Sequence, residues 1–189
     1  MKLKFIENHD EARAAAVFGP EKVKIAAFLL ALSSGAHLYH QGQLEGFKLK
    51  APLYLTRSLN EQIDENIHSF YKKLLVALKD IPLSTIQWET AALFPAWKEN
   101  ETYKNFIALS GRLQSDYYLA VTNYSDAQSQ CYAYFDVTAI AAEDLIFKDI
   151  TGQNEYKRNK EEIIIRGLYL DMPEYSFHLF KILASPVRN

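Results

Sequence analysis

Phe5-Ile6-Glu7-Asn8-His9-Asp10-Glu11-Ala12-Arg13 opens apolar and turns polar: a short strand-like run beginning at Leu3-Lys4 stops in an amide, an imidazole and a carboxylate. The ends of parallel strands are where barrel enzymes project catalytic side chains. Adjacent strand residues face opposite ways, so His9 and Asp10 converge on one ligand only if the strand ends there. The alternative is a plain strand-to-loop turn in which Asp10 caps the next segment of chain.

Outward from this stretch the chain alternates. Gly19-Pro20 leads into a helix over about 21–33, where proline suits a first turn because its missing N–H has no partner there anyway. Val23, Ala26, Ala27, Leu30 and Ala31 recur at helical spacing, and Ser33-Ser34-Gly35 stops the run. His37-Leu38-Tyr39 reads as a second strand, followed by a Gly-containing loop over 41–46. A second helix, 60–79, carries Ile63, Ile67, Phe70, Tyr71, Leu74, Leu75 and Leu78 on one face, with Asn60 as its expected cap. Strand, helix, strand, helix is a parallel-sheet pattern. Two such units cannot shield a parallel sheet on both faces, so this part reads as the tail of a larger barrel.

After residue 85 the pattern changes to strands: 85–88, 106–109, 117–122, 131–137, 144–148, 162–165 and 174–182. Pro95, Asn123-Tyr124-Ser125-Asp126, Thr151-Gly152-Gln153-Asn154 and Met172-Pro173 separate them. Short strands at this interval predict an antiparallel sandwich. The charged run Lys157–Glu162 is expected at a hairpin tip. The fold class is thus α+β: two terminal βα units of a TIM-type barrel over 1–83, then an all-β sandwich over 84–189.

Composition narrows the function classes. Hydrophobic residues are 49% and charged residues 23%, as in ordinary globular chains. A net charge of −2, without a basic cluster, argues against nucleic-acid binding. The apolar run 25–32 is too short for a membrane span, so no membrane role is expected. One cysteine, Cys131, excludes an internal disulfide framework and a four-cysteine zinc site. His37 and His40 on a strand point apart, so no metal is expected, and nothing calls for a cofactor. Localisation is left open.

Phe5–Arg13 resembles the fourth conserved region of the α-amylase family, glycoside hydrolase family 13: an apolar start, then Asn-His-Asp, often followed two residues later by Pro-Arg. Here Ala12 stands in place of that proline. Leu38-Tyr39-His40-Gln41-Gly42-Gln43 is similar to the family's next strand and loop. The resemblance implies that Asp10 is the carboxylate stabilising the transition state and that His9 and Arg13 bind substrate. Asn8, Tyr39, Gln41 and Gly42 would be structural, near the site. It implies an α-glucan or maltooligosaccharide as partner of the parent enzyme. A retaining glycosidase also needs a nucleophilic carboxylate and an acid/base carboxyl ~5–5.5 Å apart. The family draws both from motifs preceding Asn-His-Asp, and the residues before Asp10 hold neither. The chain alone is therefore expected to be inactive, with self-association or docking to a missing barrel portion.

The alternative is a non-catalytic β-sandwich module that binds carbohydrate or supports a partner. Trp88, Trp97, Tyr103, Tyr117 and Tyr118 are its candidate stacking platform, against packing in the core.

Overall fold

The computed structural model describes residues 2–52, 54, 60–152 and 154–186, so Gln153 of the Thr151–Asn154 turn lies outside the described residues. The chain divides into two units, Met1–Ser84 and Thr85–Asn189.

In the first unit β1 (Leu3–Lys4) pairs in parallel with β2 (Ala36–His37), with helix α1 (Ala14–Leu32) between them and α2 (Glu65–Leu78) after them. These are two βα units, and no closed barrel forms among the described residues. Helix α1 begins earlier than its sequence suggests. Ala14-Ala15-Ala16 are strong helix formers, so a first turn forms ahead of Gly19. The chain then kinks where Gly19 takes φ 75°, and Pro20 opens the second segment. Helix α2 begins later than expected. Asp64, not Asn60, caps it, its Oδ1 accepting from the N–H groups of Asn66 and Ile67 at 3.2 Å each. Ile67, Tyr71, Leu74 and Leu78 are its buried face. Ile67 and Tyr71 pack with Ala14, Ala15, Val23 and Ala27 of α1.

The second unit is an antiparallel sandwich. A six-stranded sheet has the order β3 (Gln87–Thr90), β5 (Phe106–Leu113), β6 (Asp116–Asn123), β11 (Ser176–Ala184), β8 (Asp144–Asp149), β9 (Glu155–Asn159). A three-stranded sheet runs β10 (Leu168–Met172), β7 (Ser129–Tyr134), β4 (Ala92–Pro95). One core joins them, with Phe106, Leu119, Phe147 and Phe180 from the large sheet against Cys131, Ala133, Leu170 and Met172 from the small one. Cys131 is buried, and burial pushes its thiol up to about 12.

Three readings of this half need correction. The segment expected as a strand over 162–165 is helix α3 (Lys160–Arg166), and the expected charged hairpin tip is its first turn with the end of β9. Asn159 Oδ1 accepts from Glu162 N–H at 3.0 Å, Arg166 sits in the last turn, and Gly167 follows with φ 82°. These caps outweigh the β-branched run Ile163-Ile164-Ile165, of which only Ile163 is buried. Pro95 is not a turn but the end of edge strand β4, where no outward ladder bond is lost.

Candidate functional site

The candidate site lies where β1 and β2 give way to their loops. Asn8 Oδ1 accepts from the backbone N–H groups of Asp10 at 2.8 Å and Glu11 at 2.9 Å, closing a tight Asx turn. β1 has already ended at Lys4, so the two side chains after Asn8 lie in a turn and need not alternate. His9 Nε2 lies 3.3 Å from Asp10 Oδ2, and the two side chains are 62% and 67% exposed. Lys50 Nζ donates to the Asp10 carbonyl from the loop after β2.

Beneath this outward pair is a buried ionic cluster. Glu7 is 1% exposed. Its Oε2 accepts from the Ala14 N–H at 2.7 Å, so a residue in the preceding loop satisfies the first donor of α1 and places negative charge at its positive end. Arg13 Nη2 faces Glu7 Oε1 at 3.0 Å. Neither atom has hydrogen-bond geometry to a partner among the described residues, so charge rather than alignment holds that contact. Arg13 also donates to the Gln41 carbonyl at 3.0 Å and the Phe47 carbonyl at 3.3 Å.

Arg13 Nη1 lies 2.7 Å from His40 Nδ1. A guanidinium only donates, so His40 Nδ1 is the acceptor and the ring proton sits on Nε2. The 3.5 Å approach of that same Nδ1 to Glu7 Oε1 is then a contact, not an ion pair. His37 does not join His40: its Nε2 lies 2.7 Å from the Ser33 carbonyl, and no metal-binding group of three occurs among the described residues.

The other positions quoted from the sequence frame the cluster. Gly42, with φ 85°, clears the path of Arg13: a Cβ there would lie 2.5 Å from Phe47 Cδ2 and 2.6 Å from Arg13 Nη2. Tyr39 is half-buried and meets Tyr71 edge-on at 6.3 Å. Gln41 is exposed and enters through its carbonyl. Two further residues complete the support. Gln43, 3% exposed, accepts from the His40 N–H and donates to the Tyr71 hydroxyl at 2.9 Å. Burial pushes the Tyr71 phenol up to about 12 against the Gln43 bond, and the Glu7 charge adds to the rise.

Glu7, His40 and Gln43 carried no role in the sequence reading. Glu7 stood inside the quoted motif, but nothing in a linear pattern tells a buried acid from a solvated one. His40 and Gln43 stood in the second quoted stretch without a role, His40 otherwise being weighed as half of a metal pair. Arg13, by contrast, lies inside the cluster, 5% exposed.

The fold of the chain has parallels among solved structures. A noncanonic maltogenic α-amylase from Thermotoga neapolitana superposes over 98% of the chain with a TM-score of 0.76 at 18% identity, using 42% of its own length. An α-amylase from Geobacillus thermoleovorans, solved with acarbose, matches 97% of the chain with a TM-score of 0.74 at 13% identity and 39% of its length. The chain has the fold of the C-terminal portion of an α-amylase family enzyme. A Nostoc punctiforme debranching enzyme shares that α-amylase fold over 94% of the chain, with a TM-score of 0.66, 16% identity and 33% of its own length. The chain thus spans roughly two-fifths or less of these relatives. No family model and no curated protein sequence matches it.

The aromatic platform divides. Tyr118 is buried, Trp88, Tyr103 and Tyr117 are half-buried, and Trp97 is 55% exposed. Among the described residues no helix is long and apolar enough to cross a membrane.

Proposed function

We propose that this chain is the C-terminal part of a retaining, α-glucan-active hydrolase or transglycosylase, in which Asp10 and His9 grip the ring of the sugar at the scissile bond. The observation that carries the reading is the Asn8 turn. It presents His9 and Asp10 together at a parallel strand end, above a buried cluster that fixes the backbone on both sides. Hydroxyl contacts from such a pair strengthen as oxocarbenium character grows, which is differential binding of the transition state. Asn8 and the Glu7–Arg13–His40 cluster position the loop; Arg13 acts on substrate only through that loop.

Double displacement also requires a nucleophile and an acid/base carboxyl on opposite sides of the bond. On this reading both come from barrel residues outside this chain, and the chain alone does not turn over. Incubation with maltoheptaose is expected to release no shorter sugars. Release that Asp10→Asn abolishes would overturn the inactivity. A fusion behind the first six βα units of a structural relative is expected to restore hydrolysis, lost on Asp10→Asn. A soluble, folded fusion without activity would break the hydrolase reading itself.

A further inference from the structure

A sheet ends in strands whose outer N–H and C=O groups lack a neighbour, and proteins guard such edges against pairing with another chain. The sandwich has edges at β3 and β9 of the large sheet and at β4 and β10 of the small one. Three of these are guarded. β3 and β4 are each four residues long, and β4 ends on Pro95, which has no N–H to give. β9 carries Lys157 and Arg158. β10, Leu168-Tyr169-Leu170-Asp171-Met172, holds no proline and no basic residue. Among the described residues no strand covers its outer side.

The side chains of β10 alternate. Leu168, Leu170 and Met172 belong to the core, while Tyr169 and Asp171 are exposed on the outer face. The register sets Tyr169 beside Tyr132 and Tyr132 beside Phe94, so a row of aromatic rings crosses the small sheet and stops at its open edge. The Tyr132 and Tyr169 ring centroids are 5.5 Å apart, and Phe94 and Tyr169 are 50% and 43% exposed. Next to this row Asp171 Oδ1 accepts from Gln128 at 2.8 Å and Gln130 at 3.0 Å. Its Oδ2 takes no bond among the described residues and remains an acceptor for whatever arrives at the edge.

The strand that complements this edge is β10 itself. Set antiparallel to a second β10 and centred on Leu170, it brings Leu170 opposite Leu170 and Leu168 opposite Met172 on the inner face. On the outer face Tyr169 meets Asp171 twice, a hydroxyl-bearing ring beside a carboxylate, and no like charges oppose each other. Every pair lies on matching faces, as the two-residue period demands. Neighbouring registers are worse. A shift one way sets Asp171 against Asp171 and draws Pro173 into the ladder. A shift the other way sets Asp171 against Gly167, which caps α3 with φ 82° and is not in strand conformation.

We infer that β10 is a docking strand for a second copy of this chain, which joins two small sheets into one continuous sheet about a twofold axis. The contact is isologous, each Tyr169 facing the other copy's Asp171. A joint of five residues a side falls below the size of a permanent interface, so the dimer forms and dissociates with concentration. It asks nothing of His9 or Asp10, and the fusion experiment decides the hydrolase reading separately.

Sedimentation equilibrium of the full chain over a concentration series tests it, with substitutions that reverse the Tyr169–Asp171 pair. Both positions are exposed, so unfolding midpoints are expected to stay in place. The wild-type chain is expected to fit a monomer–dimer equilibrium. Tyr169→Asp, which opposes two acids, weakens it roughly tenfold. Tyr169→Lys, which faces Asp171, leaves it as tight or tighter, and adding Asp171→Lys to Tyr169→Asp restores it. Cross-linking gives a second readout, because opposed strand residues lie within disulfide reach. Tyr169→Cys and Asp171→Cys chains, mixed and oxidised, are expected to link to each other, while the buried Cys131 stays out. Weakening by both Tyr169→Asp and Tyr169→Lys, or no mixed cross-link, overturns the pairing. Association indifferent to every variant places the contact elsewhere and overturns it as well. So does a wild-type chain that is still monomeric at about 1 mM.

Discussion

The two units solve the problem of buried charge in opposite ways. In the first, Glu7 and Arg13 sit together inside, and with His40 they tie the ends of both strands to the start of α1. In the second, the buried acid Asp149 closes its own turn through Thr151 and reaches outward to orient His178. The first arrangement makes one charge dependent on another. The second satisfies its charge locally and gives away only one bond. Removing a partner should therefore damage the first unit far more than the second.

The sharpest way to break that contrast is Glu7→Ala. It leaves Arg13 buried without its counter-charge and the Ala14 N–H without its acceptor, at an expected cost of about 3–5 kcal/mol. Urea unfolding followed by amide exchange should show the loss in the first unit, with protection of β6 and β11 retained. An equal loss in both units would refute the contrast. Gly167→Ala probes the sandwich by geometry alone. Its φ is 82°, and a Cβ would lie 2.8 Å from Tyr134 and 2.9 Å from the Ala133 carbonyl, so about 1–3 kcal/mol is expected from the thermal midpoint. Asp64→Ala removes the α2 cap and should cost about 1 kcal/mol, confined to the first unit.

Two pH effects are smaller and opposite in sign. Burial disfavours the charged form of Asp149, but the bonds from His178, Thr151 and Gly152 together outweigh it and hold its carboxyl below the ordinary range. That contribution is present above about pH 4 and lost as pH falls through the lower folded value. Asp149→Asn should flatten the acid limb of the sandwich's stability curve. Cys131 is raised, so its contribution is present below about pH 8.5 and lost as pH rises toward about 12. Thiol labelling at neutral pH should stay silent until the chain unfolds; rapid labelling of the native chain would contradict the buried thiol.

Legibility followed the range of the interactions. The α+β class and the two βα units could be read because helix periodicity and strand alternation are local. The helix ends moved because the residues that set them act from elsewhere: Glu7 serves Ala14 seven positions on, and Asp64 lies inside the segment assigned to α2. Strands β4, β9 and β10 escaped notice because their pairing partners, not their own patterns, define them. Helix α3 was misread through its three isoleucines, although Asn159, Glu162 and Gly167 carried its signals in plain order. At the site, the exposed pair was legible as a motif. Its support was not, because burial of an acid is a tertiary fact.

Asn123 carries a consequence for making the protein. It is fully buried, and its Nδ2 donates to the carbonyls of Ala127, Met172 and Pro173 at 2.8, 3.2 and 2.9 Å. Yet Asn123-Tyr124-Ser125 is an acceptor sequon. A glycan and the folded turn compete for one nitrogen. In a host that attaches glycans to nascent chains, whichever event comes first excludes the other. The mass of the product then reads out the race: unmodified chains are those in which the sandwich closed first.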